Sequence, residues 1–266
     1  MYIPPILGAL GAFFSITAFV LLWSSVYMLG DVLRLAELAG KRRFGSGGIL
    51  LALPLGMLTA FIVSYNFITT GQPPPPEQLA LAFSSMLLAS LLILRPVYGL
   101  VRTARHVKLP GTLLLAYVIV YAATNMFFVS TTMTFESLAG TVMLAAELLL
   151  GASFILLSAY TEGFRKLDVK LGGKTFSTHY ELSVFFLVAG LLVPMDTTIM
   201  AMGVHEVASL GSSAPADVLV PFRLLAQVVL TVAGLLALVG MVTFNRAVEE
   251  FCLRLGSLDA LYKKEK

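Results

Sequence analysis

The chain has 266 residues, of which 58% are hydrophobic and 12% are charged, and its mean hydropathy is +0.90. Because soluble domains carry about 25% charged residues, this composition excludes an ordinary soluble enzyme or binding module and predicts a helical membrane protein. The net charge of +3 is interpreted as a membrane-topology signal rather than as a nucleic-acid-binding charge.

Apolar runs of about 20 residues recur along the chain, and each can cross the hydrocarbon core as an α-helix. Stretches rich in Gly, Pro or charge separate these runs, such as GKRRFGSGG at 40–48 and GQPPPPEQ at 71–78. We therefore predict an all-α, seven-transmembrane-helix bundle that forms a single domain over residues 1–266. The predicted spans are 4–27, 47–70, 79–101, 111–132, 138–160, 181–204 and 218–245.

The basic residues predict the orientation of the bundle. Of the 18 Lys and Arg residues, only Arg95 and Arg223 fall within predicted spans, and all the others follow spans 1, 3, 5 and 7. The positive-inside rule then places the N-terminus outside and the short tail 246–266 in the cytoplasm. The expected location is the cell membrane, as a multi-pass protein.

The outward-running spans 2, 4 and 6 share a pattern near their ends. They contain SYNFITT, ATNMFFVSTT and PMDTTIM, each with Asn or Asp followed by a Thr pair. This pattern favours an architecture of one helix plus three related hairpins, which is common in transporters. Convergence is the alternative, since Asn and Thr are frequent near helix ends.

Five polar residues lie at similar depths in the predicted outer half of the bundle, and they form the candidate ligand-binding or ion-binding site. Charges at such depths cost about 2.5–3.5 kcal/mol each on insertion scales, so they need partners or a function. Counting about 1.5 Å per residue from the span ends puts Glu147, Asp196 and Arg223 about 9–15 Å below the outer surface. The five residues are Glu147, Asp196, Arg223, Asn125 and Asn66.

Two interpretations of these residues remain open. Spans 6 and 7 are joined by a short loop, so Asp196 and Arg223 are expected to pair, and Glu147 either joins the same Arg or is protonated. A buried carboxyl group that exchanges a proton is a usual ingredient of a proton relay or cation site. Alternatively, the ion pair only fixes helix packing and Glu147 only donates a hydrogen bond.

No cofactor is strongly implied by the sequence. Met200, Met202 and His205 cluster at the outer end of span 6 and are weak metal candidates, since thioether and imidazole ligands suit Cu(I). Haem is also a weak candidate, because the other two histidines, His106 and His179, lie outside the spans on the predicted cytoplasmic side.

The leading functional hypothesis is membrane transport or binding of a small cation or proton through a polar pocket in the outer half of the bundle. The alternative is a non-catalytic integral subunit of a larger complex, for instance a respiratory complex associated with quinone or haem. We find no complete catalytic motif, so the chain is not expected to be an enzyme by itself. The expected partners are the lipid bilayer and other membrane proteins or a second copy of the chain.

Overall fold

The computed structural model describes the backbone of residues 5–40, 45–70, 75–104, 107–129, 135–170, 181–210 and 218–264. These residues are almost entirely α-helical, and the described part of the chain contains no strand. The helices are α1 (Pro5–Gly40), α2 (Gly47–Thr70), α3 (Pro76–Thr103), α4 (Gly111–Val129), α5 (Phe135–Lys170), α6 (Glu181–Leu192), α7 (Met195–Leu210) and α8 (Leu219–Lys264).

Six helical segments are long and apolar enough to cross a membrane, which confirms the prediction of an all-helical membrane protein. The described apolar part of α2, Gly47–Ile62, is shorter than these six, so the seventh span and the orientation of the termini stay predictions. The six segments are Leu10–Arg34, Pro76–Thr103, Gly111–Phe128, Gly140–Lys170, Glu181–Leu210 and Leu219–Phe251.

Three helices are longer than the predicted spans. α1 and α5 each contain 36 residues and α8 contains 46. A helix of 36 residues is about 54 Å long, whereas the hydrocarbon core is about 30 Å thick. The segments at 28–46 and 161–180, predicted as connections, are therefore in part continuations of α1 and α5.

Six helices form a closed ring in which each packs against the next, in the order α1, α2, α3, α5, α6 and α8. Their buried side chains form one continuous apolar core, with Phe154, Phe186 and Phe244 among its largest members. The Phe154 and Phe186 rings stack with centroids 6.5 Å apart, and the Phe244 ring meets Phe186 edge-on at 6.3 Å. The ring of helices therefore encloses a packed centre rather than an open channel.

Small residues and hydroxyl groups hold neighbouring helices close together. Thr59 of α2 donates a hydrogen bond of 2.7 Å to the Ala82 carbonyl of α3, and Thr231 of α8 donates one of 3.1 Å to the Phe14 carbonyl of α1. A Cβ atom on Gly234 of α8 would approach the α1 backbone to 3.1 Å. Such contacts are typical of helix packing in lipid, where the hydrophobic effect does not drive helices together.

Two helices lie outside the ring. α7 packs against α8 and α4 and also touches α5, whereas α4 packs mainly against α7. The three proposed hairpins therefore differ in packing: α2 pairs with α3 over a long contact and α6 and α7 pair with α8, but α4 touches α5 at few positions. The structure thus places α4 as a peripheral helix beside the junction of α6 and α7.

We predict that a methyl group at Gly151 of α5 destabilises the bundle. A Cβ atom there would lie 2.1 Å from the Tyr117 hydroxyl oxygen and 2.5 Å from the Gly190 carbonyl oxygen. Overpacking of this kind typically costs about 1–3 kcal/mol, so Gly151→Ala should lower the thermal unfolding temperature in detergent. Gly140→Ala on the same helix is the matched control, because no described atom lies within 4 Å of its Cβ position. Equal unfolding temperatures for the two variants would contradict this packing.

Candidate functional site

The apolar segment Glu181–Leu210 is broken at Val193–Pro194, where α6 ends and α7 begins. Proline has no backbone N–H, so the carbonyl of Gly190, four residues earlier, has no helical donor. Helical bonding persists on both sides: Val193 N–H donates to the Ala189 carbonyl at 3.1 Å, and Thr198 N–H donates to the Pro194 carbonyl at 3.3 Å. The sequence prediction of one continuous span over 181–204 therefore missed a discontinuity that Pro194 itself signals.

Two tyrosines of α4 satisfy the carbonyl groups that the break exposes. The Tyr117 hydroxyl donates a hydrogen bond of 3.2 Å to the Gly190 carbonyl, and the Tyr121 hydroxyl donates one to the Leu191 carbonyl. Gly151 of α5 makes room for this contact, because any side chain there would displace the Tyr117 hydroxyl. α4 is thus bound to the bundle at the point where α6 loses its own hydrogen bonds.

Glu147 of α5 lies on the other side of the break, against the first turn of α7. Its side chain is 1% exposed, and its Oε2 atom accepts a hydrogen bond of 3.4 Å from the Thr197 backbone N–H. The Thr197 side chain also hydrogen-bonds to this carboxyl group. The free N–H groups of a helix N-terminus favour a negative charge, so Glu147 acts as a cap supplied from a neighbouring helix.

Asp196 is in the same turn of α7, and its carboxyl group lies beside that of Glu147. A hydrogen bond between two carboxyl groups requires a proton on one of them. The second oxygen of Glu147, Oε1, is buried and has no donor among the described residues. Two acidic side chains from different helices therefore lie next to each other, at a position where a single proton can bridge them.

Asn125 of α4 completes the polar set at this level. It is 3% exposed and lies on the same face of α4 as Tyr117 and Tyr121, at successive spacings of four residues. Its Nδ2 atom is buried without an acceptor among the described residues. The structure therefore brings together Glu147 and Asp196 from the predicted site, and it places Asn125 on the face of α4 that carries the two tyrosines.

Arg223 lies farther along the bundle than the sequence analysis expected. Gly203 of α7 packs against Phe222 of α8, where a Cβ atom would meet the ring at 2.8 Å. Because the two helices are antiparallel neighbours, Arg223 is level with a point about 9 Å along α7 from Asp196. Among the described residues, Asp196 and Arg223 do not form the expected ion pair; Asp196 lies beside Glu147 instead, and Arg223 has contacts of its own.

The predicted pairing of Arg223 with Asp196 assumed that the helix ends near residue 204, whereas α7 continues to Leu210. Each residue added to the end of α7 moves Asp196 about 1.5 Å farther from that end. The fifth candidate, Asn66, is in α2, but its side chain lies outside the described residues.

The three weak metal candidates do not all lie on one face of α7: Met202 and His205 are about 60° apart, but Met200 points away from both. At 3.6 residues per turn, Met200 and Met202 are about 160° apart around the helix. His205 instead packs against the rings of Phe127 and Phe128, with centroids 6.2 and 5.6 Å away. In the described part of the chain, no three His, Cys, Asp or Glu side chains come together as a metal site. The haem candidates His106 and His179 lie outside the described residues.

Comparison with protein-family models, with curated proteins and with solved structures finds no match to this chain. The class that the fold and the site define is therefore that of an α-helical membrane protein with a carboxyl pair at a broken helix.

We predict that Tyr121→Phe destabilises the protein, because it leaves the partly buried Leu191 carbonyl without a donor. Leaving a buried acceptor unsatisfied costs about 1–3 kcal/mol, which should lower the thermal unfolding temperature in detergent. Tyr98→Phe is the control, since Tyr98 is 43% exposed and loses only a surface hydroxyl. If both variants unfold at the wild-type temperature, the tyrosine does not hold the break.

Proposed function

We propose that this protein binds and passes protons, or a small cation, across the membrane by way of the Glu147–Asp196 pair. The observation that supports this proposal is the close approach of two carboxyl groups inside an apolar bundle, with Glu147 almost completely buried. Acidic groups at such depth are costly, and in membrane proteins they typically belong to ion or proton pathways.

The hydrogen bonds at the break favour a proton over a metal cation. Alkali cations at broken helices are typically coordinated by unwound backbone carbonyls. Here the Gly190 and Leu191 carbonyls accept bonds from Tyr117 and Tyr121, and the Pro194 carbonyl accepts bonds from Thr198. Three carbonyls at the break are thus already engaged, and a proton, unlike a metal cation, needs no ligands beyond the carboxyl oxygens.

The broken helix supplies an element that can respond to the proton. Loss of negative charge on Glu147 weakens its attraction to the N-terminus of α7, since that attraction depends on charge. α7 is joined to α6 through Val193–Pro194 and packs mainly against α8, so a shift of its first turn would act on the contact between α7 and α8. Discontinuous helices of this kind are common where transporters bind their substrates.

The alternative function, a non-catalytic subunit of a larger complex, draws support from α4. Only 11% of its membrane segment is buried, compared with 33–67% for the other five. Its outer surface presents Leu115, Met126 and Phe127, each more than 60% exposed. Lipid or a neighbouring subunit would cover this surface. Mild purification followed by an absorption spectrum distinguishes the two functions. Co-purifying redox subunits or a haem band would favour the complex.

We predict that Glu147→Gln abolishes proton flux into reconstituted vesicles. Glutamine keeps the shape and can still accept the Thr197 bond, but it cannot take up or release a proton. A pH-sensitive dye inside the vesicles should report flux at the level of empty vesicles, and Asp196→Asn should reduce it as well.

The matched control is Glu162→Gln, which removes a partly exposed acid on the same helix. Glu162 forms ion pairs with Arg165 and Lys166 at 2.7 and 3.5 Å, and exposed pairs of this type contribute about 0–1 kcal/mol. Its flux should equal that of the wild type. Wild-type flux in Glu147→Gln would refute the proposed function.

A further inference from the structure

Two buried polar atoms beside the carboxyl pair have opposite hydrogen-bonding character. Glu147 Oε1 is an acceptor and Asn125 Nδ2 is a donor, and neither has a partner among the described residues. Their side chains are 1% and 3% exposed, respectively. Buried polar atoms are nearly always paired in proteins, and within a bilayer lipid offers no substitute. Asn125 Nδ2 therefore requires an acceptor, and Glu147 Oε1 can accept a further hydrogen bond beside the Asp196 carboxyl.

The helix register places Asn125 and Glu147 at neighbouring levels along the bundle. The Tyr117 hydroxyl lies against Gly151, and α4 and α5 are antiparallel because a short connection joins them. One turn farther along both helices, Tyr121 is level with Glu147, and these two side chains are close enough to interact electrostatically. Asn125 is a further turn on, which puts its Cα level about 6 Å from that of Glu147.

The direction of the two side chains reduces this separation along the helix axes. In an α-helix, side chains lean toward the helix N-terminus. Since α4 and α5 run in opposite directions, Asn125 leans toward the level of Glu147 and Glu147 leans toward the level of Asn125. The hydrogen bond from Thr197 to the Glu147 carboxyl supports this lean. Gly190 is level with the Tyr117 hydroxyl, and Thr197 lies seven residues farther along, toward the level of the C-terminus of α4.

We propose that Asn125 and Glu147 hold one internal water molecule between α4 and α5. The water accepts a hydrogen bond from Asn125 Nδ2 and donates one to Glu147 Oε1, and it keeps one further O–H for another partner. Internal waters typically make about three hydrogen bonds to polar groups that are otherwise unsatisfied. A metal cation fits less well, because the amide N–H₂ group presents positive charge to it.

This water also completes a proton path, an inference that rests on the proposed function. A proton that reaches the water from the side of the C-terminus of α4 forms a new O–H bond to the water oxygen. The water then releases its other proton to Glu147 Oε1, so that one O–H bond breaks as one forms and the water is regenerated. Asn125 is thus a positioning residue for the proton's approach to the carboxyl pair.

An experimental map of the wild-type protein that resolves ordered water tests the site directly. One density peak is expected within about 2.7–3.2 Å of both Asn125 Nδ2 and Glu147 Oε1. A direct bond between Asn125 and any protein acceptor, or the absence of a peak between the two side chains, would overturn the proposal.

The functional test compares Asn125→Leu with Thr124→Val in reconstituted vesicles. Leucine removes the donor at similar size, and proton flux should fall about tenfold, as expected for one lost hydrogen bond. The Thr124 hydroxyl bonds only to the Val120 carbonyl of its own helix at 2.8 Å, so Thr124→Val should keep the wild-type flux. Asn125→Ser, which restores a small donor, should recover part of the loss, and an unchanged flux in Asn125→Leu would count against the path.

Failure of this inference and failure of the proposed function give different results. A water peak together with unchanged flux in Glu147→Gln would leave the water site standing and remove the proton function. No water peak, together with loss of flux in Glu147→Gln and wild-type flux in Asn125→Leu, would remove the water and leave the function.

Discussion

The break at Val193–Pro194, between α6 and α7, leaves backbone groups without helical partners. The arrangement of the site follows from that constraint. Inside a membrane each such group must find a donor or acceptor within the protein. Tyr117 and Tyr121 supply the donors for the end of α6, and Glu147 supplies an acceptor for the start of α7. The position of α4 outside the ring has the same cause, because its tyrosines must reach the break.

The same constraint accounts for the acidic residues. A carboxylate facing the N-terminus of α7 is stabilised by the helix dipole, whereas a second carboxylate beside it would repel the first. In the proposed function, one proton shared between Glu147 and Asp196 would remove that repulsion and allow a hydrogen bond between them. The charge that holds α7 in place and the proton that the pair binds are therefore coupled. In this account, proton occupancy and the angle of the broken helix change together.

The sequence was sufficient to predict an all-helical chain with long apolar helices and to single out two carboxyl groups that the structure places side by side. The apolar runs predict the helices because a bilayer requires continuous hydrogen-bonded segments of about 20 residues. Glu147, Asp196 and Asn125 could be singled out because polar groups are costly at that depth.

Rotation and register could not be predicted from spacing along the chain. The expected Asp196–Arg223 pair depended on where α7 ends, and α7 continues to Leu210. The role of Tyr117 and Tyr121 could not be predicted either, because their hydrogen-bond partners are backbone carbonyls of another helix, which leave no mark in the sequence. The break itself had a sequence signal, since Pro194 precedes Asp196 by two residues and removes a helical donor.

The most direct test of the central claim, that Glu147 and Asp196 share one proton, is infrared difference spectroscopy of the purified protein during a pH titration. The C=O stretch of a protonated carboxyl group is resolved from that of a carboxylate. We expect one protonated-carboxyl band in the wild type, and we expect that band to shift or disappear in both Glu147→Gln and Asp196→Asn. A band that is unchanged in both variants, or no protonated-carboxyl band at any pH at which the protein is folded, would contradict the account.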